Sequence, residues 1–573
     1  MTRINIPKKP ERKFVDEDLI IDSWKKIEKF YENLMHREIS TLQELKKWMN
    51  DRSELESVLE EDMAWGYIKM NIDTTNKNLA EKFNFWINSI SPKVSPYNQK
   101  LNLKLLENPL INELDPDKYK IYIRGVKKSI EIYREDNIPL FTEMKKKEQE
   151  YGAICAKMII SHKGKNLTMQ QASALLKEND RKVREKIYLK ISNRRKKDEK
   201  ALDKLFDDLI NLRKRIANNA GFNNYRDYMF AAMGRFDYTA TDCYQFHDSI
   251  QHYIVPTINN FEQERKVRLK INNYKPWDTE VDIAGKKPLK PFNGSNELID
   301  KTIQCFNKVR PFFGECIEIM NEMKHLDLES KEGKAPGGFM YPLYEIGVPF
   351  IYMNAVGSQR DLVTMVHEGG HAIHSFLSRD LEIADFKSTP SEVAELASMS
   401  MELISMKHWN VFYKNKEELK RAKLEQLKRS LETLPWVAAI DKFQHWIYTN
   451  DHNSQERREK WNEIHNEFGS NVIDWDGQEK LREILWQKQL HLYEVPFYYI
   501  EYGMAQLGAI AIWREFILHG DKAIEKYISA LKLGYTKSIS EIYETAGISF
   551  DFSSSYVQEL SEFISAELNK IEN

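Results

Sequence analysis

Apolar residues recur at spacings of three and four along most of this sequence, and this pattern restricts the fold more than any other feature. Examples are LIIDSWKKIEKFYENLMHREI (19–39), LAEKFNFWINSI (79–90) and LDKLFDDLINLRKRIANNAG (202–221). Such spacing places the apolar side chains on one face of an α-helix. The 573 residues also exceed what a single compact core accommodates. We therefore predict a mainly α protein with an N-terminal helical domain at 1–200 and a second domain at 201–573.

One segment departs from the helical pattern. APGGFMYPLYEIGVPFIYMNAVGS (335–358) is rich in aromatic and β-branched residues and is punctuated by Gly and Pro. This composition predicts two short strands joined by a turn. Gly337 and Gly338 directly precede the first strand, where glycine often marks the close approach of another backbone. Two interpretations stay open: a peptide that adds as an extra strand, or a simple turn.

Charge and cysteine usage exclude several classes of protein. The formal net charge is −2, which does not favour nucleic acid as a partner. The four cysteines are scattered without a CxxC pair, which argues against a disulfide framework and against a cysteine metal site. The N-terminus has no apolar secretory region, and the longest apolar run, near 507–513, is too short for a bilayer. We therefore expect a cytoplasmic protein without a membrane partner.

The stretch HEGGH at 367–371 places two adjacent glycines inside a predicted helix. Each glycine in a helix interior costs about 1 kcal/mol relative to alanine. Ser358 is a suitable N-cap and Asp361 completes a capping box, and the apolar pattern that follows continues across the glycines. The helix should therefore run through HEGGH. The missing Cβ atoms of Gly369 and Gly370 would leave room for a close neighbour.

Two histidines four residues apart lie on one face of a helix. His367 and His371 can thus bind one Zn²⁺, with Glu368 beside the metal as a general base. The alternative is a helix that carries a satisfied pair of surface histidines. His374 lies near the same face, and we interpret it as a group that supports the ligands or packs behind them.

A second helix offers a third ligand. STPSEVAELASMSMEL (388–403) has Thr389 as a predicted N-cap, Pro390 at the first helical position and Glu392 at the third. Glu395 and Glu402 are seven residues apart among apolar residues, where an unpaired carboxylate would be costly. We predict that Glu395 is the third metal ligand and that Glu402 orients a ligand histidine. The alternative is an acidic stripe exposed to water.

At these residues the sequence resembles the zinc metallopeptidases grouped around oligoendopeptidase F, Pz-peptidase and thimet oligopeptidase. HEGGHAIH and AELAS carry the resemblance, and it extends to residues 221–250, to APGGFMYPL and to PFYYIEY. The resemblance implies a nearly all-helical fold with two helical halves around a deep channel. It also implies a zinc ion at the floor of that channel and short peptides as substrates.

The segment HLYEVPFYYIEYGMAQLG (491–508) is a candidate source of further site residues. Pro496 can start a helix, which would place Tyr498 and Tyr502 on one face. Composition alone favours an aromatic core stripe. The resemblance instead assigns His491, Tyr498 and Tyr502 to contacts with the substrate and the transition state. The spacing from His491 to the tyrosines is one residue longer than the family pattern, so Tyr499 is a substitute candidate for substrate binding.

Together these features predict a zinc-dependent endopeptidase that cleaves internal bonds of short oligopeptides. Its metal ligands would be His367, His371 and Glu395, and its general base would be Glu368. A zinc aminopeptidase or a dipeptidyl carboxypeptidase is an alternative, although it needs a group that reads a peptide terminus. A helical peptide-binding protein with a decayed site is the alternative outside enzymes.

Overall fold

Helices dominate the computed structural model, which describes residues 5–572. The described residues hold twenty-five α-helices and five short strands, so the predicted mainly α fold is confirmed. The helices of the first half are α1 (Trp24–His36), α2 (Leu42–Ile72), α3 (Lys77–Phe85), α4 (Ser91–Glu107), α5 (Pro116–Ile132), α6 (Asn137–Ala156), α7 (Met169–Ala174), α8 (Arg181–Lys197), α9 (Glu199–Asn219), α10 (Tyr225–Ala232), α11 (Ala240–Ser249) and α12 (Val255–Arg268).

The helices of the second half surround the HEGGH segment. They are α13 (Gly294–Val309), α14 (Pro311–Glu322), α15 (Gln359–Ser378), α16 (Ala384–Lys387), α17 (Ser391–Ser405), α18 (Lys416–Thr449), α19 (Ser454–Phe468), α20 (Glu479–Arg482), α21 (Leu490–Glu494), α22 (Ile500–His519), α23 (Asp521–Leu531), α24 (Ile539–Thr545) and α25 (Ser554–Glu572). The strands are β1 (Ile159–His162), β2 (Lys165–Thr168), β3 (Leu326–Glu329), β4 (Phe339–Tyr341) and β5 (Phe350–Ala355).

A three-stranded sheet immediately precedes α15. Its strand order is β3-β5-β4, with β4 antiparallel and β3 parallel to β5. The hairpin predicted for 335–358 is therefore confirmed, whereas β3 was not predicted. The order leaves β4 at one edge of the sheet, where its outer backbone groups can pair with another chain.

Buried apolar side chains form two large cores. The larger runs from Leu140 to Leu568 and includes residues of α15, α17, α18 and α22. The second is built from α1, α2, α4 and α5, and Ile383 and Phe386 also join it. Two cores agree with the expectation drawn from chain length. The domain boundary at residue 200 stays a prediction.

The helix α2 covers one face of the sheet. Trp65 packs edge-on against Phe350, and Tyr67 lies against Tyr341 at a ring-centroid distance of 5.8 Å. The carboxylate of Glu61 accepts the backbone N–H groups of Glu345 and Ile346 in the β4–β5 connection. The N-terminal core is thus joined directly to the strands that adjoin α15.

The segment 91–98 is helical although it contains two prolines. The residues open α4, with Pro92 in its first turn and Pro96 inside it. The π-helical turn Trp86–Ile90 joins α3 to α4, so Pro92 lies in a continuous helical segment and leaves one of its hydrogen bonds unmade. Pro96 lies early in the helix, so it removes a single bond to the first turn.

The connection 272–293 before α13 has one short 3₁₀ turn at Pro276–Asp278. The buried carboxylate of Asp278 accepts hydrogen bonds from Arg181 and Arg184. Burial raises the pKa of Asp278, but these hydrogen bonds outweigh it and hold the pKa below its ordinary value. The connection is therefore anchored to α8.

Two expectations about the whole chain can be compared with the structure. None of the four cysteines forms a disulfide, as predicted. Within residues 5–572, no helix combines the length and the apolar composition that crossing a bilayer requires.

Candidate active site and metal centre

The helix that carries HEGGH begins as predicted. The hydroxyl of Ser358 accepts the backbone N–H of Asp361 at 3.3 Å, and the Asp361 carboxylate accepts the backbone N–H of Ser358 at 2.8 Å. This reciprocal capping box fixes the start of α15. The helix continues through both glycines to Ser378, which confirms the prediction for this segment.

The two glycines allow α15 to pack closely against its neighbours. A Cβ atom on Gly369 would lie 2.7 Å from the Phe306 ring, and one on Gly370 would lie 2.7 Å from the Cα atom of Ser398. Real Cβ atoms do not approach other heavy atoms so closely. The glycines are therefore required by the contact of α15 with α13 and α17, and α17 carries Glu395.

The three predicted metal ligands lie together. The Nε2 atoms of His367 and His371 are 3.3 and 3.8 Å from the Oε2 atom of Glu395. One ligand atom from each of the three lies within 4.8 Å of the other two. Two imidazole nitrogens and one carboxylate oxygen are a suitable donor set for zinc, and three protein ligands leave a position open for water or substrate. The residues therefore fit the predicted metal.

Glu402 holds one ligand histidine from behind. Its Oε1 atom is 2.6 Å from Nδ1 of His367, and its Oε2 atom accepts a hydrogen bond from Gln426 of α18 at 2.6 Å. A proton on Nδ1 of His367 leaves the Nε2 lone pair free to bind a metal. Sequence analysis did not identify Gln426, because nothing local relates α18 to α17.

The beginning of α17 differs from the prediction. The N-cap is Pro390 rather than Thr389, and its side chain makes no capping hydrogen bond. Glu392 is then the second helical residue, and its carboxylate accepts a hydrogen bond from the buried Tyr238 at 2.6 Å. A tertiary contact therefore replaces the predicted capping box.

The ionisable side chains of the site are largely buried, and burial shifts their pKa values. Burial raises the pKa of Glu368 to about 7 and lowers that of His371 to about 4. Burial would also lower the pKa of His367, but hydrogen bonds with Glu395 and Glu402 raise it above its ordinary value. A carboxyl with a pKa near neutrality can both take up and release a proton, as a general base must.

His374 lies farther along the same helix. It is buried, and burial lowers its pKa to about 3. Its Nε2 atom has no hydrogen-bond partner among the described residues, so no contact there orients a ligand. His374 lines the cavity described below, and the supporting role assigned to it stays a prediction.

His491 is surrounded by three tyrosines. The centroid of its ring is 5.9, 4.8 and 5.8 Å from those of Tyr498, Tyr499 and Tyr502. Its Nδ1 atom is 2.6 Å from Nε2 of Gln489, and burial lowers its pKa to about 4. The neutral ring therefore accepts at Nδ1 and carries its proton on Nε2, where it can donate.

The predicted helix from Pro496 does not form, because Phe497 has a positive φ of 69°. Its backbone N–H donates to Gln444 at 2.5 Å, and its carbonyl accepts a hydrogen bond from Arg235. The helix α22 begins only at Ile500. A left-handed conformation at a buried aromatic residue is strained and persists because its surroundings hold it. This turn presents Tyr498 to the site.

A cavity of about 390 Å³ lies beside the HEGGH helix and is lined by most of the predicted site residues. Its volume is suitable for a small ligand. Its lining residues that were predicted as site residues are Gly338, His367, Glu368, His371, His374, Glu395, Tyr498 and Tyr502. His491, Tyr499 and Gly337 do not line it. Gly337 has a φ of 114°, which favours glycine at the bend before β4.

The edge strand β4 contributes to the same cavity. Gly338, Phe339 and Met340 line it beside Glu368. Two cationic residues that sequence analysis missed, Arg379 and Lys387, line it as well. Neither residue belongs to a recognisable sequence motif, so their positions in the cavity could not be predicted from the sequence.

Residues 174–562 match the model of Peptidase family M3, and residues 14–133 match that of the Peptidase M3 N-terminal domain. The chromosomal oligoendopeptidase F of Lactococcus lactis subsp. cremoris is 22% identical over 56% of this chain and 53% of its own length. The match therefore spans about half of that relative.

Two further relatives match over more of their length. The oligoendopeptidase F homolog of Borreliella burgdorferi is 23% identical over 86% of this chain and 85% of its own. The structure of Pz peptidase A with an inhibitor superimposes with a TM-score of 0.90 and 26% identity, over 97% of this chain and 99% of that one. The resemblance noted in the sequence is thereby confirmed, and this chain belongs to peptidase family M3, among the relatives of oligoendopeptidase F.

Proposed function

We propose that this chain is a zinc-dependent endopeptidase that hydrolyses internal bonds of short oligopeptides. One observation carries the proposal. Ligand atoms of His367, His371 and Glu395 converge within 4.8 Å, and Glu368 lines the same cavity. A decayed peptide-binding protein would have no need to keep three ligands and a buried base together.

The chain's own residues account for the handling of protons. Zinc bound by the three ligands would act as a Lewis acid that polarises a peptide carbonyl and acidifies water. Glu368 accepts the proton of the attacking water and returns it to the leaving amine. The hydroxyls of Tyr498 and Tyr502, which line the cavity, are the donors available for the carbonyl oxygen as negative charge develops on it, and His491 packs behind them.

The substrate would bind as an extended strand. The outer edge of β4 is unpaired in the order β3-β5-β4, and the residues at its start line the cavity. A peptide that pairs with this edge gains backbone hydrogen bonds that do not depend on its sequence. Gly338 lets the start of β4 pack closely against α15 and β5, because a Cβ atom there would lie 3.3 Å from Thr364 and 3.4 Å from the carbonyl of Tyr352.

The burial of the metal ligands limits the substrate to flexible chains. The side chains of His367, His371 and Glu395 are only 19%, 14% and 7% exposed. An extended segment can reach them, whereas a folded domain cannot. The test compares a quenched fluorescent peptide of about ten residues with a folded protein that displays the same sequence in a loop. Equal kcat/KM for both substrates would contradict a deep channel.

The proposed chemistry has a direct experimental test. Glu368→Gln should retain zinc, measured by elemental analysis, and lose nearly all peptide hydrolysis. Glu395→Ala should lose zinc itself, because it removes a ligand. The decayed-site alternative predicts that the wild-type protein hydrolyses no peptide even when zinc is supplied. Near wild-type turnover by Glu368→Gln would remove this residue as the base.

A carboxypeptidase that reads the substrate's free C-terminus is the second candidate. Arg379 and Lys387 favour it because they line the cavity and could bind a carboxylate. Among the described residues Lys387 forms no ion pair, and the Arg379 guanidinium lies 3.6 Å from the exposed Asp380. Amidation of a peptide's C-terminus decides between the two functions. An endopeptidase should still cleave the capped peptide, whereas a carboxypeptidase should lose most of its activity.

A further inference from the structure

Four buried polar side chains lie together between α11 and α18, outside the site described above. Cys243 and His247 are four residues apart on α11, and Asp441 and His445 are four residues apart on α18. Residues at this spacing lie one turn apart on the same face of a helix. Two such pairs therefore face each other across one helix contact. None of the four residues is more than 2% exposed.

The distances within this cluster suit a metal ion. One ligand atom from each of Cys243, Asp441 and His445 lies within 4.8 Å of the other two. The Oδ2 atom of Asp441 is 3.2 Å from Nε2 of His445 and 2.8 Å from Nε2 of His247. A tetrahedral zinc ion with bonds of about 2.0–2.3 Å holds its ligand atoms about 3.3–3.8 Å apart. The Asp441–His445 distance of 3.2 Å is close to this value, and the bound of 4.8 Å on Cys243 allows it after a small adjustment.

Protein hydrogen bonds leave much of the cluster without a partner. Oδ1 of Asp441, Nδ1 of His247 and Nδ1 of His445 are buried and make no hydrogen bond within the described part of the chain, and Nε2 of His445 lies 3.2 Å from Oδ2 of Asp441 without the geometry of a hydrogen bond. A buried polar group without a partner costs about 1–3 kcal/mol. If the cluster were only a hydrogen-bonded network, this free-energy cost would apply at each of these unpartnered atoms.

We propose that Cys243, Asp441 and His445 bind a second divalent metal ion of the zinc type, with His247 positioning the Asp441 carboxylate. One thiolate and one carboxylate neutralise a divalent cation, so the complex is uncharged in its apolar surroundings. Thiolate and imidazole ligands favour zinc over magnesium or calcium. Binding releases the proton of the Cys243 thiol to solvent.

Such an ion would have a structural role. It would tie α11 to α18 next to the strained turn at Phe497, whose ring centroid is 5.5 Å from that of His445. Gln444, which accepts the backbone N–H of Phe497, lies between the two α18 ligands in sequence. The proposal does not rest on the proposed function, because this cluster lies outside the cavity.

The full-length chain loaded with cobalt(II) tests the proposal. A thiolate ligand gives cobalt a charge-transfer band in the near ultraviolet, and the first site has no sulfur ligand. The wild-type protein should therefore show this band. A His367→Ala/His371→Ala variant should keep both the band and one zinc equivalent in elemental analysis. That result would assign the remaining metal to the second cluster.

Single substitutions locate the ligand. Cys243→Ser should lose the band, whereas Cys305→Ser, the matched change at another buried cysteine, should keep it. The wild-type spectrum decides the question even if Cys243→Ser fails to fold. Absence of the band from the wild-type protein, together with no zinc in the double-histidine variant, would overturn the proposal in favour of a metal-free hydrogen-bond network.

Discussion

Replacing Gly370 by alanine should weaken metal binding, although the residue is not a ligand. The new Cβ would lie 2.7 Å from the Cα of Ser398 and 2.9 Å from the carbonyl oxygen of Ala397, both backbone atoms of α17. Ordinary contact begins near 3.4 Å, so α17 must move by about 0.7 Å. Metal–ligand distances tolerate only about 0.2 Å. Glu395, one turn earlier on α17, would move out of range.

The expected effects on stability and on metal binding differ. Overpacking costs about 1–3 kcal/mol, and alanine's higher helix propensity returns about 1 kcal/mol. The free energy of unfolding should thus fall by about 0–2 kcal/mol, whereas zinc affinity should fall by about 10–100-fold, as for other changes that misplace a ligand.

Competition with a chromogenic chelator measures the affinity, and thermal unfolding measures the stability. Gly125→Ala in α5 is the matched control, because a Cβ there meets no atom within 4 Å. It should stabilise the protein by about 1 kcal/mol and leave zinc binding unchanged. Wild-type zinc affinity in Gly370→Ala would refute the claim that helix spacing positions Glu395.

Further predictions concern other parts of the molecule. Glu402→Ala should lower zinc affinity by about 10–100-fold in the same chelator assay. Tyr498→Phe or Tyr502→Phe should lower kcat by up to about 10²–10³-fold with little change in KM, whereas Tyr499→Phe should not, because Tyr499 does not line the cavity. Unchanged kcat in both variants would exclude them as donors. Asp278→Asn should destabilise the protein at neutral pH, and denaturant titrations should show this difference shrinking below pH about 4. The reason is that the stability due to a depressed folded-state pKa is lost as the pH falls toward that pKa.

Features encoded by neighbouring residues could be predicted from the sequence. The capping box of Ser358 and Asp361, the helix through HEGGH and the β4–β5 hairpin are all confirmed. Each depends on residues a few positions apart, where side-chain chemistry acts directly on the local backbone. The convergence of His367 and His371 follows from the helix alone.

Features that depend on distant contacts could not be predicted. Thr389 has the chemistry of an N-cap, but Tyr238 binds Glu392 and the helix starts one residue later. Pro496 favours a helix start, but Gln444 and Arg235 hold Phe497 in a left-handed conformation. In both cases a tertiary hydrogen bond overrides a local preference. The parallel pairing of β3 with β5 also depends on contacts between residues that are distant in the sequence. The same is true of the positions of Arg379 and Lys387 in the cavity.

The long helix α18 connects the two halves of the site. Gln426 holds Glu402 behind the proposed metal ligands, and Gln444 holds the turn that presents Tyr498. The two glutamines are eighteen residues apart, which is about five turns of a helix, and Pro435 between them removes one backbone hydrogen bond of α18. A rotation of α18 would therefore misplace a metal ligand and a proposed hydrogen-bond donor together. Apolar side chains at positions 426 and 444 would allow α18 to pack at several rotations about its axis. The side-chain amides of Gln426 and Gln444 each have a specific hydrogen-bond partner, so they favour a single rotation.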